Sequence, residues 1–240
     1  RSTAFPDEPT ISRTALAKLN EKRAEKHSGE GKVADISAHP GYAGTVEYKT
    51  ELVAAHELLG LTIKELGTPR GKPLQVTVNI NTPYPEFVPE AKKNYVYGDF
   101  DLIKDIFMML EIGIPGYLWG HAGTGKSSLP TQLCALLNRP LIRAQHTASM
   151  EEAHVTGQIL ARDGSTYFEP GLLALAMKNG WVYLADEYDF AFPQILGVYQ
   201  PVLEGEPLII KEATPDWRRI TPHKRFAFIG TGNTNGSGDE

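Results

Sequence analysis

Residues 120–127 read Gly-His-Ala-Gly-Thr-Gly-Lys-Ser, and no other stretch of the chain constrains its fold so strongly. The run satisfies G-x-x-x-x-G-K-[ST] in full. Phosphate oxygens need several converging N–H donors, and a loop without bulky Cβ atoms can curl its amides around them. Gly123 and Gly125 supply that freedom, and Gly120 allows the turn out of a preceding strand. The helix that starts near Lys126 adds its positive N-terminal end. Lys126 is expected to reach the terminal phosphates, and the Ser127 hydroxyl to ligate magnesium. His121, Ala122 and Thr124 occupy free positions of the motif, and Ser128 is counted with the nucleotide-binding loop. An apolar strand, Tyr117-Leu118-Trp119, precedes the loop, and a helix carrying Leu129, Leu133, Leu136 and Leu137 follows it. That context separates the run from a chance match in an unrelated loop.

The flanking pattern predicts the fold class. A helix over 101–112, the strand at 117–119, a helix to Leu137 and a strand over 141–144 come first. Apolar strands over 181–185 and 226–230 follow. Strands alternating with helices predict an α/β domain with a parallel sheet covered on both faces. We assign 91–240 to this domain and 1–90 to an N-terminal extension, partly helical with linkers. In the extension, 11–27 reads as a solvated helix rather than a basic arm, and 27–44 as a linker. A helix is expected over 50–66, ended at Gly67, and a strand over 74–80. Three prolines over 81–89 then break the chain.

Trp181-Val182-Tyr183-Leu184-Ala185-Asp186-Glu187 is an apolar strand ending in two carboxylates. In a parallel sheet that strand end faces the phosphates. Asp186 there can hold magnesium, while Glu187 can orient and deprotonate an attacking water. The strand at 226–230 leads into Gly232-Asn233-Thr234-Asn235. A neutral amide at such a strand end can position the water beside the terminal phosphate; Asn233 is the candidate and Asn235 the reserve. These features fit water-attacking ATP hydrolysis better than a small kinase, which would need an acceptor site and a lid.

Composition narrows the rest. Net charge is −5 over 240 residues, which argues against a protein that coats nucleic acid by bulk electrostatics. The single cysteine, Cys134, forms no internal disulfide, and it falls on the apolar stripe of the helix after the loop. No apolar run reaches membrane-spanning length, and Arg1-Ser2-Thr3-Ala4-Phe5-Pro6 has no apolar signal core. The expectation is a cytoplasmic protein with no membrane association, of which this chain is one part. His56-Glu57-Leu58-Leu59-Gly60 has glycine where a zinc protease needs its second histidine. His39, His56, His146, His154 and His223 show no zinc or cobalt ligand spacing.

Beyond the loop, three further runs carry a resemblance. They are Asp186-Glu187-Tyr188-Asp189 followed by Pro193, then Val202-Leu203-Glu204, then Phe226 through Thr234 with Gly236 to Asp239 close behind. Over 95–240 the chain resembles the MoxR-type branch of the AAA+ ATPases, and within it the small ATPase subunits of aerobic cobalt chelatases. The resemblance implies a homo-oligomeric ring, commonly a hexamer, that hydrolyses Mg-ATP to remodel or load a partner protein. It implies a partner with a von Willebrand factor A domain. It implies a hairpin inserted at the second helix, for which 155–170 fits with an Asp163-Gly164 turn, and a second hairpin over 208–223. It places an arginine finger and a lid after the sensor region, past this chain; Arg143, Arg162, Arg218, Arg219 and Arg225 stay unassigned, with Arg218 and Arg219 read as solvated hairpin charges. A chelatase subunit, a nucleotide-dependent assembly switch and a DNA motor are the alternative functions.

Overall fold

The computed structural model describes residues 46–233; the expected helix over 11–27, the linker over 27–44 and Asn235 lie outside them. Four strands form one parallel sheet: β3 (Gly116–Trp119), β4 (Leu141–Gln145), β7 (Val182–Asp186) and β10 (Ala227–Gly232). Their order across the sheet is β3-β10-β7-β4. Ile229 pairs with Leu184 on one side and with Gly116 on the other. The two central strands are buried along their whole length. That is why their sequences read as continuous apolar runs rather than alternating ones.

Side chains along the central strands alternate between two cores. Val182, Leu184, Ala227 and Ile229 face one core, together with Ile103, Ile106 and Phe107 of α3 (Phe100–Ile112) and Leu133 and Cys134 of α4 (Ser128–Leu136). Tyr183, Ala185 and Phe228 face the other, with Leu173 and Met177 of α6 (Leu172–Asn179) and Ile195 and Tyr199 of α7 (Pro193–Leu203). The period of two in the strands thus assigns each residue to one helical layer. Helix α3 begins where the Asp99 side chain accepts the Leu102 amide at 2.9 Å, and it ends at Gly113 with φ 69°.

The segment before β3 corrects one expectation. Residues 50–66 are not one helix: β1 (Thr50–Ala54) comes first, then α1 (Ala55–Leu59) and α2 (Ile63–Leu66). β1 pairs antiparallel with β2 (Gln75–Asn79), Val53 opposite Val76. The spacing of Leu58, Leu59 and Leu66 is helical, but the strand at 75–79 recruits the preceding residues as its partner. Gly60, at φ 70°, then separates the two short helices. The end of β2 is tied to the sheet layer by Asn79, whose amide N–H bonds the Leu137 carbonyl at 3.0 Å.

Two hairpins project from this frame, as expected. β5 (Gly157–Arg162) pairs with β6 (Ser165–Pro170), between α5 (Glu152–Thr156) and α6. Its turn, Asp163-Gly164, has φ 52° and 78°, the left-handed pair that a two-residue hairpin requires. β8 (Leu208–Ile209) pairs with β9 (Arg219–Ile220), with α8 (Pro215–Arg218) between them. Arg218 and Arg219 are exposed there. No helix among the described residues is long and apolar enough to cross a membrane.

Candidate active site

The loop of residues 120–127 leaves the C-terminal end of β3 and enters α4. Gly123 and Gly125 sit at φ 81° and 88°, where a side chain would be strained. The Lys126 ammonium donates to the Gly120 carbonyl at 2.6 Å, the His121 carbonyl at 2.8 Å and Asn233 Oδ1 at 3.1 Å. His121 therefore contributes its backbone, and its side chain is exposed. The Thr124 hydroxyl also donates to the His121 carbonyl, at 2.9 Å. The Ser128 hydroxyl closes the turn by donating to the Gly125 carbonyl at 3.1 Å and lies 3.2 Å from the Tyr95 hydroxyl.

Asp186 ends β7 with its side chain 4% exposed. Its Oδ1 accepts the hydroxyls of Ser127 and Thr231, and its Oδ2 accepts Arg143 through Nε at 2.7 Å and through a second guanidinium nitrogen. Burial pushes the Asp186 carboxyl up, but those two hydroxyls and the Arg143 guanidinium outweigh it and hold the group below its ordinary value. It is an anion at neutral pH. Because Ser127 donates its proton to Asp186, the lone pairs of its oxygen stay available to a cation. One hydroxyl beside one carboxylate is the small oxygen set that magnesium uses when phosphates supply further ligands, so the residues fit that ion. No group of three or more His, Cys, Asp or Glu among the described residues could hold a metal by itself.

Glu187 follows at φ 54°, ψ 44°, a left-handed conformation uncommon for a residue with a side chain. This turns the chain out of the strand into the short 3-10 turn Tyr188–Phe190. Its amide donates to the Thr231 hydroxyl at 3.3 Å, and its Oε2 accepts Gln145 Nε2 at 3.2 Å. Backbone held in such a sparsely populated region is a mark of functional sites. Asn233 follows β10, and its amide donates to the Asp189 carboxylate at 2.8 Å.

A buried relay supports the Asp186 end of β7 from behind. The Asp186 carbonyl accepts both the His146 amide at 2.9 Å and Nδ1 at 2.8 Å. A carbonyl only accepts, so Nδ1 carries the proton. Burial lowers the His146 pKa, which keeps the ring neutral and leaves Nε2 as an acceptor for the Tyr199 hydroxyl at 2.9 Å. Tyr199 in turn lies 2.7 Å from the Tyr183 hydroxyl.

Lys126, Ser127, Asp186, Glu187 and Asn233, which the sequence singled out, all line one cleft of about 500 Å³ with Ala122, Gly123, Gly125 and Ser128. Gly120 and His121 border it through the carbonyls that hold Lys126. Thr124 lines a neighbouring cavity of about 550 Å³ with Tyr95, Tyr97, Trp119 and Leu129. Sequence reasoning missed Gln145 and Thr231 and left Arg143 without a role. Strand register brings them in: Gln145 stands opposite Asp186, and β10 runs alongside β7. Cys134 is buried, as the apolar stripe implied.

Residues 117–240 match the family model of the AAA domain, dynein-related subfamily. Over 126 residues the chain is 34% identical to the aerobic cobaltochelatase subunit CobS of a Sinorhizobium species, a span of 50% of this chain and 37% of that protein. Over 119 residues it is 25% identical to an uncharacterized protein of Staphylococcus saprophyticus, 48% of this chain and 45% of that one. The chain thus spans less than half the length of these curated relatives. A crystal structure of an ATPase candidate from Cytophaga hutchinsonii aligns with a TM-score of 0.43 at 14% identity, covering 64% of this chain and 42% of that one. The family match takes in more than half of the chain, which accordingly belongs to the dynein-related, MoxR-type branch of the AAA+ ATPases, with its similarity to CobS confined to half of its length.

Proposed function

We propose that this chain binds ATP with magnesium in the cleft between the loop and the ends of β7 and β10, and hydrolyses it by attack of water. The observation that carries this reading is the Lys126–Asn233 hydrogen bond beside the Ser127–Asp186 bond. Two strand ends far apart in sequence are joined to the phosphate loop at two successive residues.

Each residue has a role. Backbone amides of the loop and the Lys126 ammonium bind the phosphates. Ser127 and Asp186 hold magnesium, which when bound offsets negative charge on the phosphate oxygens. Glu187 takes a proton from water as the new oxygen–phosphorus bond forms and the bond to the ADP oxygen breaks. Asn233 orients the water and the terminal phosphate through its side-chain amide, while its backbone N–H is held by the Asp189 carboxylate. The aromatic side chain of Tyr95, part-exposed in the cavity beside the loop, offers a face for the base.

The experiment is a pair of variants. Lys126→Ala loses nucleotide binding, whereas Glu187→Gln keeps binding and loses turnover, read by fluorescent-nucleotide titration and phosphate release. Wild-type turnover in Glu187→Gln would overturn the mechanism. Full partner function in a Glu187→Gln variant that has lost turnover would instead favour the assembly switch, in which bound ATP alone builds the ring.

The wider reading follows the family. We propose residues 91–240 as the catalytic unit, a homo-oligomeric and commonly hexameric ring, and a cytoplasmic location where ATP is supplied. The client is a partner protein that ATP turnover remodels or loads, with a von Willebrand factor A protein as the first candidate. Similarity to a cobaltochelatase subunit favours a chelatase assembly as the specific setting. Stimulation of turnover by the partner, rather than by DNA, distinguishes that setting from a DNA motor.

A further inference from the structure

Asp186 is oversupplied with donors for a residue that is to share a cation. Two hydroxyls take Oδ1, and the Arg143 guanidinium takes Oδ2. Arg143 lies on β4, the edge strand on this side of the sheet, and it also lines the cleft. Its side chain is 52% exposed, against 4% for the carboxylate it holds. The carboxylate is thus fixed by its surroundings, while the guanidinium can move.

A divalent cation beside Ser127 Oγ and Asp186 would meet this positive charge on the same carboxylate. Like charges at that separation repel, so cation and guanidinium compete for Asp186. A displaced guanidinium keeps its fork of N–H donors, and that fork matches phosphate oxygens. The cleft that Arg143 lines is the one bordered by Lys126 and Ser127.

We infer that Arg143 is a tethered cation that substitutes for magnesium on Asp186 and transfers to the nucleotide phosphates when the metal enters. The inference rests on the nucleotide reading of the cleft and deepens it. Arg143 is a positioning residue in this scheme, and its effect falls on the linkage between metal and nucleotide rather than on the chemical step. Removing the charge should tighten metal binding to the protein–nucleotide complex. It should also weaken nucleotide binding without metal, since the Asp186 carboxylate then stands unneutralised in the cleft and repels the phosphates.

Two titrations test this on the full 240-residue chain. Manganese binding to the ADP complex is followed by electron paramagnetic resonance, and fluorescent ADP binding is followed in EDTA. For a pair with one half-exposed partner the expected change is about five-fold in each. In Arg143→Gln the manganese midpoint falls and the metal-free affinity for ADP weakens. Arg143→Lys, which keeps the charge, returns both values toward wild type. An unchanged or raised manganese midpoint in Arg143→Gln overturns the inference, as does unaltered binding of ADP in EDTA. A wild-type chain that binds no nucleotide, with or without manganese, overturns the underlying nucleotide reading and this inference with it.

Discussion

Asn233 Oδ1 accepts a hydrogen bond from Lys126 Nζ across 3.1 Å, joining the residue after β10 to the loop that follows β3. The two groups are 107 positions apart in sequence, yet β3 and β10 are neighbours in the sheet. The contact separates two roles that substitution can resolve. Lys126→Ala is expected to abolish nucleotide binding. Asn233→Ala should bind nucleotide nearly as wild type and lose turnover on the order of 10²-fold, as when one preorganised polar group is removed from a transition state. Equal losses of binding in both variants would show that the amide only braces the lysine.

Gln145 acts one step further out. Its Nε2 donates to Glu187 Oε2 at 3.2 Å, from the end of the edge strand β4. Gln145→Ala leaves the carboxylate in place but releases its orientation. Turnover should fall on the order of ten-fold, a fraction of the roughly 10²–10⁴-fold that a positioned base contributes. The KM for ATP should stay within about two-fold, because the phosphate contacts are untouched. Steady-state phosphate release at several ATP concentrations checks both values.

Gly232 closely approaches two side chains. A Cβ there would stand 1.9 Å from the Tyr117 hydroxyl and 3.0 Å from Asp189 Cγ. Gly232→Ala should cost about 1–3 kcal/mol, the usual range for overpacking. In a double-mutant cycle, Tyr117→Ala should recover part of that loss, since it removes the nearest atoms. Strict additivity in urea unfolding would show that the backbone, and not Tyr117, sets the limit.

Stability should decline on mild acidification. His223 donates Nε2–H to the Val46 carbonyl at 3.0 Å, while its Nδ1 accepts the Arg225 amide at 3.1 Å. Burial, and then the charges of Lys224, Arg225 and Arg139, lower its pKa below 6.5. Burial does the same to His146. The unfolded chain therefore takes up these protons first. Stability is fully present above pH 6.5 and is lost as pH falls from there through the lower folded values. Each histidine contributes a slope of up to about 1.4 kcal/mol per pH unit within that window. Thermal midpoints between pH 7 and 5 measure the effect, and His223→Gln should make the decline shallower. An acid-independent midpoint would contradict it.

What could be read from the sequence was what local chemistry dictates. The loop at 120–127 needs glycines at fixed offsets, and Gly123 and Gly125 adopt the backbone that only such residues favour. The apolar runs at 181–185 and 226–230 announced the strands that form over 182–186 and 227–232, buried on both faces, and Asp163-Gly164 announced its hairpin. Local pattern failed where partners are distant. Residues 50–54 carry no strong strand signal, and they form one because β2 lies alongside. The site divides in the same way. Lys126, Ser127, Asp186, Glu187 and Asn233 stand in recognisable runs. Arg143, Gln145 and Thr231 are ordinary residues on ordinary strands until sheet register sets them against Asp186 and Glu187. A glycine-rich loop with its lysine and serine is encoded within eight consecutive residues; the charges around a carboxylate depend on which strand lies next to it, and only the packed sheet decides that.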